Sequence, residues 1–213
     1  MNKFKAIIFD MDGVLVDTEN FYYNRRKDFL TSKGINIDHL PQKSFIGGNM
    51  KNTWESILRD DYHKWDVEKL QEEYNNYKNT HPLPYKELIF PDVEKTLKFL
   101  TESGYVLGLA SSSSRKDIEA MLTENNLQKY FSTVLSGQEF RESKPNPEIY
   151  QQAMKNLGVM PSQVLIIEDS EKGIEAGVAS GAQVWAVEDK RFDMDQSKAN
   201  KLIEGISSLI SEI

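Results

Sequence analysis

Short apolar runs recur along the chain at KAIIF (5–9), VLGLAS (106–111), TVLSG (133–137), VLIIED (164–169) and QVWAV (183–187). Each predicts a buried strand, and the segments between them show helical spacing. Asp92, just after Pro91, is placed to cap a helix that puts Val93, Leu97 and Leu100 on one face and stops at Gly104. Ser114 opens an S-x-x-D capping pattern with Asp117, ahead of Ile118, Met121 and Leu122. Pro147 suits the first turn of a helix carrying Ile149, Ala153 and Leu157, with Gly158 as its stop. A shorter helix from about Glu171 to Ser180 precedes the last of the runs. From residue 90 onward this alternation describes βα units, hence an α/β fold with a parallel sheet covered on both faces.

Residues 17–87 follow another pattern. They hold 11 of the 22 aromatic residues, with long polar stretches and no convincing strand. YYNRRKDFL (22–30) and LQEEYNNYKN (70–79) read as helices, and the aromatics as the core of a small bundle from which a few could face a substrate. Pro82, Pro84 and Pro91 stiffen the return to the βα units. There is no internal repeat and no low-complexity tract.

Composition narrows the function. A chain of 213 residues suffices for one domain or for a core with a smaller inserted unit. There is no cysteine, which removes disulfides, thiolate metal sites and cysteine nucleophiles. The start, MNKFKAIIFD, lacks a secretory pattern and no run approaches transmembrane length, so a cytoplasmic protein is expected. The net charge of −7 argues against nucleic acid or anionic membranes as partners. It leaves room for an anionic small molecule in one local pocket.

The candidate chemistry lies at strand ends. Ligands of parallel sheets bind at the carboxyl ends of the strands, and Asp10, Asp12, Ser111, Glu168 and Asp169 all fall there. Two like charges 4 Å apart repel by about 4 kcal/mol at an effective dielectric near 20. Four carboxylates at one edge therefore imply a hard divalent cation, and an all-oxygen donor set favours Mg²⁺ over zinc. An EF-hand loop counted from Asp10 would need an oxygen ligand at Val14, Gly at Leu15 and Glu at Phe21, so that reading fails. No glycine-rich nucleotide loop follows a strand. Taken alone, Ser111 reads as a helix cap and Lys144 as a solvated lysine. Ser111, its neighbour Ser112 and the following N–H groups could instead hold a phosphate. Only the four features in order, each after a strand, decide between these readings.

In that order they resemble the haloacid dehalogenase superfamily, and within it the β-phosphoglucomutase-like phosphatases and phosphomutases. "DMDGVLVDT" looks like the first family motif, Ser111 the second, Lys144 the third and "EDS" (168–170) the fourth. The resemblance implies a Rossmann-like core over 1–16 and 88–213, with a helical cap inserted after the first strand over 17–87. It implies Asp10 as nucleophile, forming an aspartyl phosphate, and Asp12 as general acid and base. It also implies Mg²⁺ held by Asp10, the Asp12 carbonyl and Asp169, with Glu168 direct or through water, and phosphoryl oxygens gripped by Ser111 and Lys144. The second aspartate speaks against dehalogenation, because dehalogenases of this kind lack it.

The departures favour a phosphatase acting on small phosphorylated metabolites, with sugar phosphates the expected class. In β-phosphoglucomutases the first motif runs on to D-T-x-x-x-H, whereas this chain has Tyr22 in the histidine's place. Their K-G-x-x-R cap pattern is answered by Ile46 and Met50. A mutase must hold a bisphosphorylated intermediate, so it needs a second cationic site; Lys43, Lys51 or Arg115 could supply one and keep the isomerase reading open. Tyr22, Asn49, Trp54 and Arg115 are the substrate-contact candidates on and beside the cap. A non-catalytic protein that kept the fold is disfavoured by the intact acidic set. A monomer is expected, since a cap can open and close without a partner.

Overall fold

The computed structural model describes residues 4–46 and 53–213. Its first strand is β1 (Ala6–Phe9). Helices α1 (Glu19–Ser32), α2 (Trp54–Leu58), α3 (Val67–Thr80) and α4 (Tyr85–Leu88) follow before the chain returns through α5 (Val93–Glu102). The remainder alternates: β2 (Val106–Ser111), α6 (Arg115–Glu124), β3 (Phe131–Ser136), α7 (Glu148–Leu157), β4 (Val164–Glu168), α8 (Glu171–Ala179), β5 (Gln183–Val187) and β6 (Lys201–Ile203). The six strands form one parallel sheet in the order β3-β2-β1-β4-β5-β6, a Rossmann-like arrangement. The order reverses between β1 and β4, where such sheets bind ligands.

Strand periodicity explains the layers. Ile7, Phe9, Leu107, Leu109, Leu165 and Ile167 point to one face and pack with Val93, Leu97 and Leu100 of α5 and Ile118 and Met121 of α6. Ala6, Ile8, Ala110, Val164 and Ile166 point to the other, against Ile149, Tyr150 and Ala153 of α7 and Ile174 of α8. Burial on both faces is why the strands read as continuous apolar runs. Among the described residues no helix is long and apolar enough to cross a membrane.

The segment between β1 and α5 has its own core, where Phe29, Leu30, Phe45, Trp54, Ile57, Leu70 and Tyr74 are buried together. Rings meet there at 5.2 Å between Phe29 and Tyr74 and 5.5 Å between Phe29 and Tyr77. The outgoing and returning chains run side by side at its base. Phe90 N donates to Leu15 O at 3.0 Å and Asp17 N to Leu88 O at 2.8 Å, with an antiparallel bridge between Val16 and Ile89.

Three local expectations differ from the structure. The Asp92 side chain does not cap α5 but accepts from Ser207 N at 3.0 Å, tying the C-terminal segment to that helix. β3 begins at Phe131, two residues before the run that predicts it. β6 has no counterpart in the expected strands, because KLI is a three-residue edge strand with two exposed positions and shows no alternation to read.

Candidate active site

The site forms where β2, β1 and β4 end side by side. Phe9 pairs with Leu109 and with Ile167, so Asp10 emerges between the ends of both neighbours, its N–H still donating to Ile167 O at 2.9 Å. The chain then turns sharply through Gly13 at φ +77°, where a Cβ would overlap the Asp169 carboxylate. Only glycine suits this turn, in conformation and in space.

Lys144, from the loop between β3 and α7, is buried beneath these strand ends. Its ammonium donates to Asp10 Oδ1 at 2.5 Å, Glu168 Oε1 at 2.7 Å, Tyr150 OH at 2.9 Å and Ala110 O at 3.0 Å. Glu168 accepts on both oxygens: from Lys144 and Tyr150 OH (2.8 Å) on Oε1, and from Asp169 N (2.9 Å), Ser170 N (3.1 Å) and Ser170 Oγ (3.1 Å) on Oε2. Gly173 of α8 covers it so closely that a Cβ would collide with the carboxylate. Burial alone would raise the Glu168 pKa, but Lys144, Tyr150 and the Asp169 N–H outweigh it and hold the group below the usual value.

Asp10 and Asp169 are placed the other way. Burial pushes Asp10 up to about 8, against the pull of Lys144 and helped by Glu168 and Asp12. Burial and then Glu168, Glu19, Asp10 and Asp12 raise Asp169 well above the usual range. Oxygens of Asp10, Glu168 and Asp169 come within 4.8 Å of one another, and Asp169 Oδ2 is buried without a hydrogen-bond partner. Among the described residues Lys144 bonds two of these three carboxylates, and an oxygen of the third, Asp169, is orphaned. That donor set fits a hard cation on Asp10 and Asp169, whose charge would reverse both shifts. Glu168, with both oxygens engaged, is placed to hold Lys144.

Asp12 sits one turn away, with Oδ1 accepting from Thr18 Oγ1 and Oδ2 from Ser113 Oγ, both at 2.6 Å. Burial raises its pKa more than these bonds lower it. Ser111 ends β2 fully buried, its Oγ accepting from Ser113 N at 3.0 Å, and Ser112 is half-buried on the same turn.

Of the substrate-contact candidates, the Tyr22 hydroxyl reaches the site, 3.3 Å from Ser113 Oγ. Trp54 lies in the helical segment's core and donates to Gln71 Oε1 at 2.8 Å. Arg115 pairs with Glu139 and donates to Val134 O at 3.0 Å, and Lys43 pairs with Asp193. Ile46 is buried, while Asn49, Met50 and Lys51 lie outside the described residues. Thr18, Glu19, Ser113 and Tyr150 were not expected. Thr18 closes the first motif, where it is given no role of its own, and Ser113 is masked by a run of four serines. Tyr150 hides in an apolar helical pattern. Glu19, the first residue of α1, is buried and pushed up to about 8 by burial and by Asp12, with Arg26 opposing.

The haloacid dehalogenase-like hydrolase family pattern matches residues 7–187. The chain belongs to that family. It is therefore an enzyme, a hydrolase or a phosphotransferase. A phosphorylated carbohydrates phosphatase of Thermotoga maritima is 29% identical over 181 residues, covering 84% of this chain and 82% of that one. A phosphoglycolate phosphatase of Aquifex aeolicus is 28% identical over the same shares. The crystal structure of a β-phosphoglucomutase from Clostridium difficile superposes with a TM-score of 0.82 at 26% identity, covering 97% of this chain and 93% of that one.

Proposed function

We propose that this haloacid dehalogenase-like enzyme is a Mg²⁺-dependent phosphatase of small phosphorylated metabolites, sugar phosphates above all, acting through an aspartyl phosphate on Asp10. The observation that carries the reading is the strand edge itself: Asp10, bound by Lys144 at 2.5 Å, stands beside the orphaned Asp169 oxygen. The name of the Thermotoga relative supports the substrate class.

An Asp10 oxygen attacks phosphorus, and the bond from phosphorus to the ester oxygen breaks as the new one forms. Asp12, its pKa raised by burial and its carboxyl oriented by Thr18 and Ser113, serves as the acid that protonates the leaving oxygen. Asp12 then takes a proton from water, whose oxygen bonds to phosphorus as the Asp10–phosphorus bond breaks and inorganic phosphate leaves. Splitting the reaction divides one hard step into two easier ones. Lys144, anchored by Glu168, and Ser111 hold the phosphoryl oxygens. Asp10, the Asp12 carbonyl and Asp169 would hold Mg²⁺, which would supply neutralising charge for the transferred group. Residues 17–87 act as a cap that excludes bulk water and selects the leaving group.

An isomerase is the second reading, favoured by the structural likeness to β-phosphoglucomutase. The test is phosphate release from a panel of sugar phosphates with Mg²⁺, β-glucose 1-phosphate included and followed for glucose 6-phosphate. Free phosphate, absent in Asp10→Asn, supports the phosphatase. Glucose 6-phosphate with little free phosphate replaces it with the mutase.

A further inference from the structure

Helix α1 leaves the catalytic edge with charge where an inserted helix ordinarily carries apolar side chains. Glu19, Tyr22 and Arg26 follow one another at i, i+3 and i+7 and share a stripe, with Arg25 beside it. Glu19, Arg25 and Arg26 are 8%, 6% and 7% exposed. The near end of the stripe meets the site: Glu19 feels the Asp12 and Asp10 charges, and the Tyr22 hydroxyl meets Ser113. Two turns carry Arg26 about 10 Å beyond Glu19, the reach of a short sugar chain.

Lys78 lies on the last turn of α3, whose closing residue His81 offers its carbonyl to Arg25, and so joins the arginines there. Burial lowers its pKa, Arg25 and Arg26 lower it further, and Asp117 at the start of α6 opposes them. Asp117 is hydrogen-bonded to Ser114, so this cluster overlooks the Ser111–Ser114 turn. Arg25 donates to His81 O at 2.8 Å and lies over the Tyr22 ring at 5.3 Å, Arg26 lies 4.8 Å from the Phe45 ring centroid, and Lys78 5.4 Å from that of Tyr74. Among the described residues, neither arginine's buried Nε has an acceptor. Nor does any ion pair among them involve Arg25, Arg26 or Lys78.

A guanidinium cannot shed its proton, and rings and one carbonyl do not neutralise a buried cation that lacks an ion pair among the described residues, so the cost of burying it remains. A chain of net charge −7 does not gather three cations by default. An anion between them resolves the cost. It is not the transferred phosphoryl group, which Lys144 and Ser111 serve at the strand ends.

Resting on the phosphatase reading, we propose that Arg26 and Lys78, reinforced by Arg25, form a distal anion subsite. The substrate then carries a second phosphate or carboxylate at the end away from the scissile ester. Lys43 and Arg115, the described alternatives for a second cationic site, are paired with Asp193 and Glu139.

The test is calorimetric binding to Asp10→Asn with Mg²⁺, using two matched pairs: fructose 1,6-bisphosphate against fructose 6-phosphate, and 6-phosphogluconate against glucose 6-phosphate. The doubly anionic member of at least one pair is expected to bind about tenfold tighter or more, as a charge-assisted contact implies. Which pair shows the preference identifies the second group. The preference should collapse in Arg26→Met and in Lys78→Met and survive largely in Arg26→Lys. A purely structural role would weaken both members alike. Equal binding within both pairs, or a preference that outlasts both methionine variants, overturns the subsite. Should Arg26→Met fail to fold, Lys78→Met at its half-buried position carries the test. Binding is read without turnover, so a failure of the phosphatase reading shows separately, as no phosphate release by the native enzyme.

Discussion

At the carboxyl edge of the sheet, Lys144 is buried and gives its ammonium to four oxygens, while on α1 Arg26 is buried with its Nε unmatched among the described residues. Glu168 makes the same contrast with Glu19. The first accepts bonds on both oxygens and sits below the usual pKa; the second is pushed up to about 8. Backbone groups of rigid strands surround the former pair, and their positions do not depend on a ligand. The latter pair lies on α1, between the strand-end turns and α3, and under the proposed subsite an anion would complete its polar face. On the proposed function, the first would be a prebuilt centre for chemistry and the second a less satisfied surface for choosing substrates.

The largest expected effect tests the prebuilt side. Asp10→Asn should lower turnover by roughly a thousandfold or more with an unchanged melting profile; steady-state phosphate release alongside circular dichroism checks both halves. Removing divalent cations with EDTA should have a comparable effect, reversed by Mg²⁺. A rate that survives chelation would discard the cation reading of Asp10 and Asp169.

Stability separates the two regions next. Lys144→Met leaves Asp10 and Glu168 buried without their counter-charge and should cost about 3–5 kcal/mol in urea unfolding. Arg26→Met removes a buried cation that has little pairing to lose, so it should change the stability of the ligand-free protein by less than ~1 kcal/mol or raise it. Equal losses in the two variants would erase the contrast.

Glu19 gives a pH test with a defined sign. Its folded pKa, about 8, lies above its ordinary 4.5, so between those values the folded state retains a proton that the unfolded chain has released. The stability it contributes is full below pH 4.5 and is lost as pH rises through 8. One pKa unit is worth about 1.4 kcal/mol, so the whole window amounts to a few kcal/mol at most. In EDTA, Glu19→Gln should flatten this part of the stability–pH curve; an unchanged slope would place the titration elsewhere. The smallest effect belongs to Tyr22→Phe. A bond of 3.3 Å to Ser113 is long for two hydroxyls, so kcat/KM should fall only a few-fold.

Much of the architecture was legible because βα units are written in periodicity. QVWAV is β5 residue for residue, and Gly158 ends α7 in the left-handed conformation its position implies. The meeting of Asp10, Lys144, Glu168 and Asp169 was legible because strand ends in a parallel sheet converge whatever the loops do. What the chain does not write locally was missed. Tyr150 looks like any apolar-face aromatic until the sheet brings Glu168 and Lys144 to its hydroxyl. Which serine in SSSS meets Asp12 depends on where β2 stops. Arg25 and Arg26 read as the polar side of a surface helix, and only the packing of α1 against the end of α3 and against Phe45 buries them.

The most direct test of the central claim is mass spectrometry of the enzyme acid-quenched during turnover with Mg²⁺ and a sugar phosphate that it hydrolyses. The account predicts a phosphoryl adduct on the peptide containing Asp10, absent in Asp10→Asn. Steady phosphate release with no adduct, and with Asp10→Asn still active, would contradict it.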